Sequence, residues 1–150
     1  MLRETGSALI LLGAAVSMLV GGCPNAGRLI PGFNTVEVEL VNDTWFPVAP
    51  NISFDDDSGF LASLAPSETL STGLIGPGEF VSYRFDCDEL GLILSDEAEQ
   101  LLPFEIYIAE RSRILEREEE YDCGDRIRFR FVGEAENFGV VSSVNGRVVD

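Results

Sequence analysis

Residues 126–132 read Arg-Ile-Arg-Phe-Arg-Phe-Val, in which charged and apolar side chains alternate strictly. Successive side chains of a β-strand point to opposite faces, so this pattern predicts a strand whose arginines face solvent. Ile127, Phe129 and Phe131 then face a hydrophobic core. The same alternation occurs in segments 36–40, 81–85 and 104–108, which we also interpret as strands.

Turn signals separate these segments. Asn145-Gly146 lies between the apolar segments 140–144 and 147–149, and this dipeptide favours the type I′ turn of a hairpin. Pro47 and Pro50 interrupt the aromatic stretch 45–54, which predicts an edge strand or a bulged one. Segment 110–121 has the highest helix propensity but lies between strand patterns, so we interpret it as a long hairpin connection.

Roughly seven or eight short strands predict an all-β fold, an antiparallel β-sandwich of immunoglobulin-like or transthyretin-like topology. One short helix is expected near 95–102, with Ser95 as its N-cap and Pro103 ending it.

Composition excludes several function classes. The 150 residues include 26 Asp and Glu and 10 basic residues, all Arg, for a net charge of −16. Without His there is no Ser-His-Asp or Cys-His catalysis and no His-ligated zinc or haem. Without Lys there is no Schiff-base chemistry and no P-loop lysine. With these classes excluded no obvious enzyme remains, so we expect no enzyme activity. The acidic charge repels phosphates, so we expect no nucleic-acid partner.

The N-terminus has the pattern of an export signal. Arg3 precedes a mostly apolar run from Ala8 to Val20, which at thirteen residues is shorter than the roughly twenty that span a bilayer. Gly21, Gly22 and Cys23 follow directly. This sequence resembles the lipobox of bacterial lipoproteins, in which an apolar residue and two small ones precede a cysteine.

The resemblance implies a lipid on Cys23 and signal cleavage between Gly22 and Cys23. It implies a signal peptide at 1–22 and a lipidated tether at 23–33, leaving one β-sandwich domain at 34–150. The expected location is the bacterial cell envelope, on its periplasmic or surface face. There the protein binds the membrane through lipidated Cys23, and a protein partner in the envelope is expected.

If Cys23 carries lipid, Cys87 and Cys123 are left as a pair. An exported protein sits in a disulfide-permissive compartment, so we expect them to form one bridge. Metal thiolates or a nucleophilic thiol are the rival interpretations, but the cysteines lack paired zinc-site spacing and have no His to activate them.

Acidic side chains offer a weak metal hypothesis. Asp55 and Asp57 lie in the Asp-rich turn 55–59, and Asp86 and Asp88 flank Cys87. Carboxylates in a Gly-containing turn are typical Ca²⁺ ligands, but EF-hand spacing is absent and a solvated turn explains the same residues. No other cofactor is expected.

Bridging would also bring these acids near those around Cys123. We expect Arg117, Arg126 and solvent screening to relieve the repulsion. The arginine row of 126–130 should pair across strands with acids such as Glu37 or Glu105.

The favoured interpretation is a lipid-anchored envelope lipoprotein with a non-catalytic binding or structural role. The alternative is a Ca²⁺ or small-ligand-binding module that uses the acidic loops. A carboxylate-based hydrolase is a remote alternative, because sequence does not show which carboxylates lie near one another.

Overall fold

The structure is a computed structural model that describes residues 34–59 and 64–149. Within these residues, twelve strands form three sheets. The strands are β1 (Thr35–Asn42), β2 (Val48–Ala49), β3 (Asn51–Asp55), β4 (Glu68–Ser71), β5 (Phe80–Asp86), β6 (Leu92–Ser95), β7 (Ala98–Leu101), β8 (Ile106–Ala109), β9 (Leu115–Glu116), β10 (Arg126–Val132), β11 (Gly139–Val144) and β12 (Arg147–Val148). Short 3₁₀ turns occur at Cys87–Glu89 and Ala135–Asn137.

The largest sheet has five strands in the order β12-β11-β10-β1-β5. Its central strand pair, β1 and β10, is parallel, with Val38 opposite Ile127 and Leu40 opposite Phe129. All other strand pairs in the described residues are antiparallel. The expected all-β, sandwich-like fold is confirmed, with this parallel pair as the exception to its antiparallel pairing. The immunoglobulin-like or transthyretin-like topology stays a prediction.

Two smaller sheets complete the fold, in the orders β2-β7-β8 and β4-β3-β6-β9. The chain passes directly between them three times, from β2 to β3 through Pro50, from β6 to β7 through Asp96 and Glu97, and from β8 to β9 through residues 110–114. The predicted edge position holds for β2, but it is wrong for β3, which lies between β4 and β6. Pro50 tolerates this arrangement because it lies between two strands and no ladder needs its missing N–H.

One hydrophobic core joins all three sheets. The period-two pattern is confirmed in β1 and β10: Val36, Val38, Leu40, Ile127, Phe129 and Phe131 are fully buried, while the alternate residues are partly or wholly exposed. Every residue of β6 is buried, which is typical of a strand covered on both faces. The core includes Val36, Val38, Leu40, Val48, Ile52, Ile93, Ala98, Ala109, Leu115, Ile127, Phe129 and Phe131.

The helix predicted near 95–102 is wrong. Ser95 ends β6, and residues 98–101 form β7, in which Ala98 and Gln100 are buried and Glu99 between them is exposed. Pairing with β2 on one side and β8 on the other gives this segment backbone hydrogen bonds that a lone helical turn would lack. Tertiary burial therefore overrides the local helix signals.

The hairpin predicted at Asn145-Gly146 is confirmed. Asn145 and Gly146 both have positive φ, 49° and 81°, as a type I′ turn requires, and they join β11 to β12. The hairpin connection predicted at 110–121 is wrong, because this segment leads from β8 in one sheet to β9 and β10 in the two other sheets, and β8 pairs with β7 instead.

Candidate functional site

The residues predicted to carry the anchor, Gly22 and Cys23, lie outside the described residues. Among those the structure describes, no helix is long and apolar enough to cross a membrane.

Cys87 and Cys123 form the predicted disulfide, with their Cα atoms 5.7 Å apart. Cys87 directly follows β5 and is buried, and its N–H donates to the carbonyl of Asn34 just before β1. The N–H of Gly124 donates to the carbonyl of Thr35. The bridge therefore lies at the end of the molecule where β1 begins, beside the point where the N-terminal segment joins the domain.

Acidic side chains surround this bridge, as the sequence predicted. Arg117 lies among them, and its guanidinium donates to the carbonyl of Cys87. Arg126 pairs with Glu37 instead. This region is called the acidic end below, and it comprises Asp86, Asp88, Glu89, Glu118, Glu119, Glu120, Asp122 and Asp125.

Tyr121 connects the acidic end to the hydrophobic core. Its hydroxyl donates to the carbonyl of Leu90 over 3.0 Å, and its ring is buried. Burial raises the pKa of the Tyr121 phenol far above its ordinary range. The residue thus acts as a neutral, buried donor that connects the turn around Glu118 to the 3₁₀ turn after β5.

The Asp-rich turn has a structural explanation. The two oxygens of Asp55 accept hydrogen bonds from the N–H groups of Asp57 at 3.0 Å and Ser67 at 2.8 Å. These bonds stabilise the carboxylate and lower the pKa of Asp55. Asp57 accepts from the N–H of Gly59. The first aspartate of the turn therefore closes the loop that carries the chain toward β4.

The structure brings together only part of the predicted metal set. Asp55 and Asp88 line one cavity of about 510 Å³, which is also lined by Asp56, Glu68 and Glu89 and by the edge-to-face rings of Phe54 and Phe85. Asp57 and Asp86 do not line it. Within residues 34–59 and 64–149, no three Asp, Glu, Cys or His side chains converge closely enough to hold a metal ion.

A second cavity, of about 590 Å³, lies between β8 and β11. Ile108 forms one side of it, and Phe138 and Val140 form the other.

The arginine row of β10 is paired throughout. Arg126 bonds Glu37, Arg128 bonds Glu39 and Arg130 bonds Asp43, all on the outer face of the five-stranded sheet. The predicted pairing with Glu37 is confirmed. The pairing with Glu105 is wrong, because Glu105 lies in the β7–β8 turn and accepts a hydrogen bond from Tyr107.

Asn42 and Gln100 are two of the buried polar residues that the sequence did not predict. Asn42, at the end of β1, is fully buried; its amide donates to the carbonyls of Phe46 and Ile75 over 2.8 and 2.9 Å. Gln100 donates to the carbonyl of Gly133 and accepts from the N–H of Ala135. Asn42 follows Val36, Val38 and Leu40 in the same alternation, and that phase is a signal that it faces inward.

Five large apolar side chains are exposed at the end of the molecule where β1 finishes. The side chain of Asn42 donates to the carbonyls of Phe46 and Ile75. It therefore holds the turn that contains Trp45 beside the segment that contains Leu74. Phe80 pairs with Val41 near the end of β1, and the N–H of Leu101 donates to the carbonyl of Pro47. Leu101 pairs with Ile106, so the turn between them also lies here. This surface is called the apolar pole, and it comprises Trp45, Leu74, Phe80, Phe104 and Ile106.

Comparisons with known proteins add little to this picture. No family model matches the chain, and no curated protein matches it. One similar solved structure is an NMR structure of a protein from Eubacterium rectale, with 13% identity over 74% of this chain and 90% of that one, and a TM-score of 0.42. Another, described as "Trapped Toxin", has 12% identity over 73% of this chain and 23% of that one, and a TM-score of 0.47. At such low identities and TM-scores, neither resemblance carries an inference about function.

Proposed function

We propose that this chain is a bacterial envelope lipoprotein, held at a membrane by lipid on Cys23, with a non-catalytic binding or structural role. The observation that carries the proposal is the spacing of Val20, Gly21 and Gly22 directly before Cys23, at the end of an apolar run. Two or more acyl chains make such anchoring stable, since each buried CH₂ contributes roughly 0.8 kcal/mol.

The disulfide supports this assignment. Of the three cysteines, Cys87 and Cys123 bond to each other and stabilise the fold. Cys23 is therefore the one thiol left for another role, and a disulfide is typical of exported proteins.

Asp55, a candidate ligand in the Asp-rich turn, has a structural role. Its carboxylate accepts hydrogen bonds from the N–H groups of Asp57 and Ser67, and these bonds lower its pKa. The arginines of β10 are engaged in ion pairs on the sheet surface.

Membrane fractionation of the full-length protein in a bacterial host tests the anchor. Wild type is expected in the membrane fraction, and Cys23→Ser is expected to be released from it. The matched control is the double variant Cys87→Ala with Cys123→Ala, which removes two cysteines and should stay with the membrane. A Cys23→Ser protein that still fractionates with membranes contradicts the assignment.

A second candidate function is cation binding at the acidic cavity. It is favoured by the convergence of Asp55 and Asp88 on one cavity from distant parts of the chain. Millimolar Ca²⁺ is then expected to raise the melting temperature beyond the effect of NaCl at matched ionic strength. Asp88→Asn should abolish that extra rise, and Asp86→Asn, outside the cavity, should keep it. Equal effects of Ca²⁺ and NaCl on wild type exclude this function.

A further inference from the structure

The apolar pole and the acidic end lie at opposite ends of β1. The disulfide and Thr35 mark the acidic end, and Asn42 marks the pole. An eight-residue strand is about 26 Å long at roughly 3.3 Å per residue. The domain thus has its apolar side chains and its acidic cluster separated by most of its length.

Exposure at the pole is high. Phe104 is 99% exposed and Trp45 81% exposed, while Leu74, Phe80 and Ile106 are each about 60% exposed. None of the five lines either of the two cavities described above. They project from separate turns and strand ends. Protruding apolar side chains of this kind can insert into a fluid interface, whereas a small-molecule site needs a concave surface.

Acids at the pole are exposed as well. Asp43 pairs with Arg130, whereas Glu79 and Glu105 accept hydrogen bonds from the N–H of Gly76 and from Tyr107 and keep their charge. The acidic end has eight acids, six of them exposed. Anionic headgroups therefore repel the acidic end more strongly than the pole, so a bilayer surface favours one orientation of the domain.

We propose that the apolar pole lies on the same bilayer that holds the lipid anchor, with Trp45 and Phe104 inserted at the level of the headgroups. Aromatic side chains favour this interfacial zone. The inference rests on the proposed lipid anchor at Cys23. It adds a second membrane contact, which turns the acidic end away from the surface.

The chain is long enough for this orientation. Residues 24–33 lie between Cys23 and the first described residue, Asn34, and ten residues span at most about 35 Å. That reach exceeds the roughly 26 Å between the pole and the start of β1. Anchoring also keeps the pole at high effective concentration beside the lipid, so modest insertion suffices.

Trp45 is the single tryptophan of the chain, so its fluorescence reports the pole directly. The experiment uses the full-length lipidated protein in vesicles of phosphatidylcholine with a minor share of phosphatidylglycerol. Its two readouts are quenching by lipids brominated near the headgroups and quenching by aqueous acrylamide. We expect blue-shifted emission, strong quenching by the brominated lipids and a several-fold loss of acrylamide quenching relative to the detergent-solubilised protein.

Two variants sharpen the test. Phe104→Ser removes a fully exposed side chain and is expected to restore much of the acrylamide quenching of Trp45. Val148→Ser replaces a half-exposed apolar side chain on β12, outside the pole, and is expected to change nothing.

Equal acrylamide quenching in vesicles and in detergent overturns the proposal. So does protection of Trp45 that is present without lipid and rises with protein concentration, because that result assigns the pole to a second copy. Protection that appears only when an envelope protein is added assigns it to that protein and also overturns the proposal. Membrane fractionation of Cys23→Ser reports separately on the anchor, so a failure of the pole to insert is distinguishable from a failure of lipidation.

Discussion

Asn42 is the residue on which the pole depends. Asn42 is the last residue of β1. Its side chain donates to the carbonyls of Phe46 and Ile75 and accepts from the N–H of Thr44 at 2.9 Å. A buried polar group that loses its hydrogen-bond partner costs about 1–3 kcal/mol. Removal of the Asn42 side chain would leave several backbone groups without their partner.

Asn42→Ala is expected to lower the free energy of unfolding by about 3 kcal/mol, because three hydrogen bonds at roughly 1 kcal/mol each are lost. Urea denaturation measures the change. Asn51→Ala is the matched control, since Asn51 makes a solvent-exposed hydrogen bond to Glu97 and should cost much less. A variant of Asn42 that unfolds no more easily than the variant of Asn51 contradicts this role.

Asp55 makes stability depend on pH. Two backbone N–H groups hold the pKa of its carboxyl below the ordinary value of 3.8. The folded state therefore binds protons less readily than the unfolded state. The resulting stabilisation is complete above the unfolded pKa of about 4 and is lost as pH falls through the lower folded pKa.

Asp55→Asn is expected to melt at a lower temperature than wild type at neutral pH, because an amide nitrogen does not accept the N–H of Ser67. The difference in melting temperature between Asp55→Asn and wild type should narrow as pH falls below about 4. Thermal melts across this range measure it, and Asp86→Asn controls for the loss of one negative charge. A gap that stays constant or widens toward low pH shows that Asp55 does not act through its ionised form.

At the scale of elements, the disulfide joins the end of β5 to the segment before β10. Both strands flank β1 in the five-stranded sheet, so the bridge constrains the two neighbours of β1. A covalent link across 36 positions stabilises mainly by restricting the unfolded chain.

The double variant Cys87→Ala with Cys123→Ala is expected to lose about 4 kcal/mol of unfolding free energy in the chain-entropy model. Guanidinium denaturation measures the loss, and wild type in reducing agent should show a similar one. A double variant as stable as oxidised wild type would mean that the unfolded chain is already compact near these positions.

At the scale of the whole molecule, charge is distributed unevenly. The chain carries a net charge of −16, and the disulfide brings together acids from the two segments around Cys87 and Cys123. Like charges held together by folding repel one another more than they do in the unfolded chain. Self-repulsion of this kind weakens the compact state and is screened by salt.

Raising NaCl from low concentration to roughly 0.15 M, where the Debye length is about 8 Å, is therefore expected to raise the melting temperature. KCl should act equally, since screening does not depend on which monovalent cation supplies it. A melting temperature that falls as salt is added would show that attractive ion pairs, such as those of β10, outweigh the repulsion at the acidic end.

The amino-acid sequence by itself determined which faces of β1 and β10 are buried. Alternation in residues 36–40 and 126–131 sets those faces locally, because a period of two places every second side chain on one side of a strand. The same alternation at 104–108 predicted the wrong face, because β8 exposes Ile106 and Ile108 and buries Ala109. The Asn145-Gly146 turn was also predictable, since its two positive φ angles are a local requirement. The pairing of Cys87 with Cys123 followed from the cysteine count and the proposed export.

Tertiary structure alone decided which strands are neighbours and what lies at each end. The parallel pairing of β1 with β10 joins segments that are far apart in the chain, and no local pattern encodes it. Residues 98–101 became a strand because β2 and β8 supply its hydrogen bonds. The apolar pole brings together side chains as distant in the sequence as Trp45 and Phe104 for the same physical reason. Backbone pairing between distant segments determines which turns lie at the same end of the molecule, and local propensity does not.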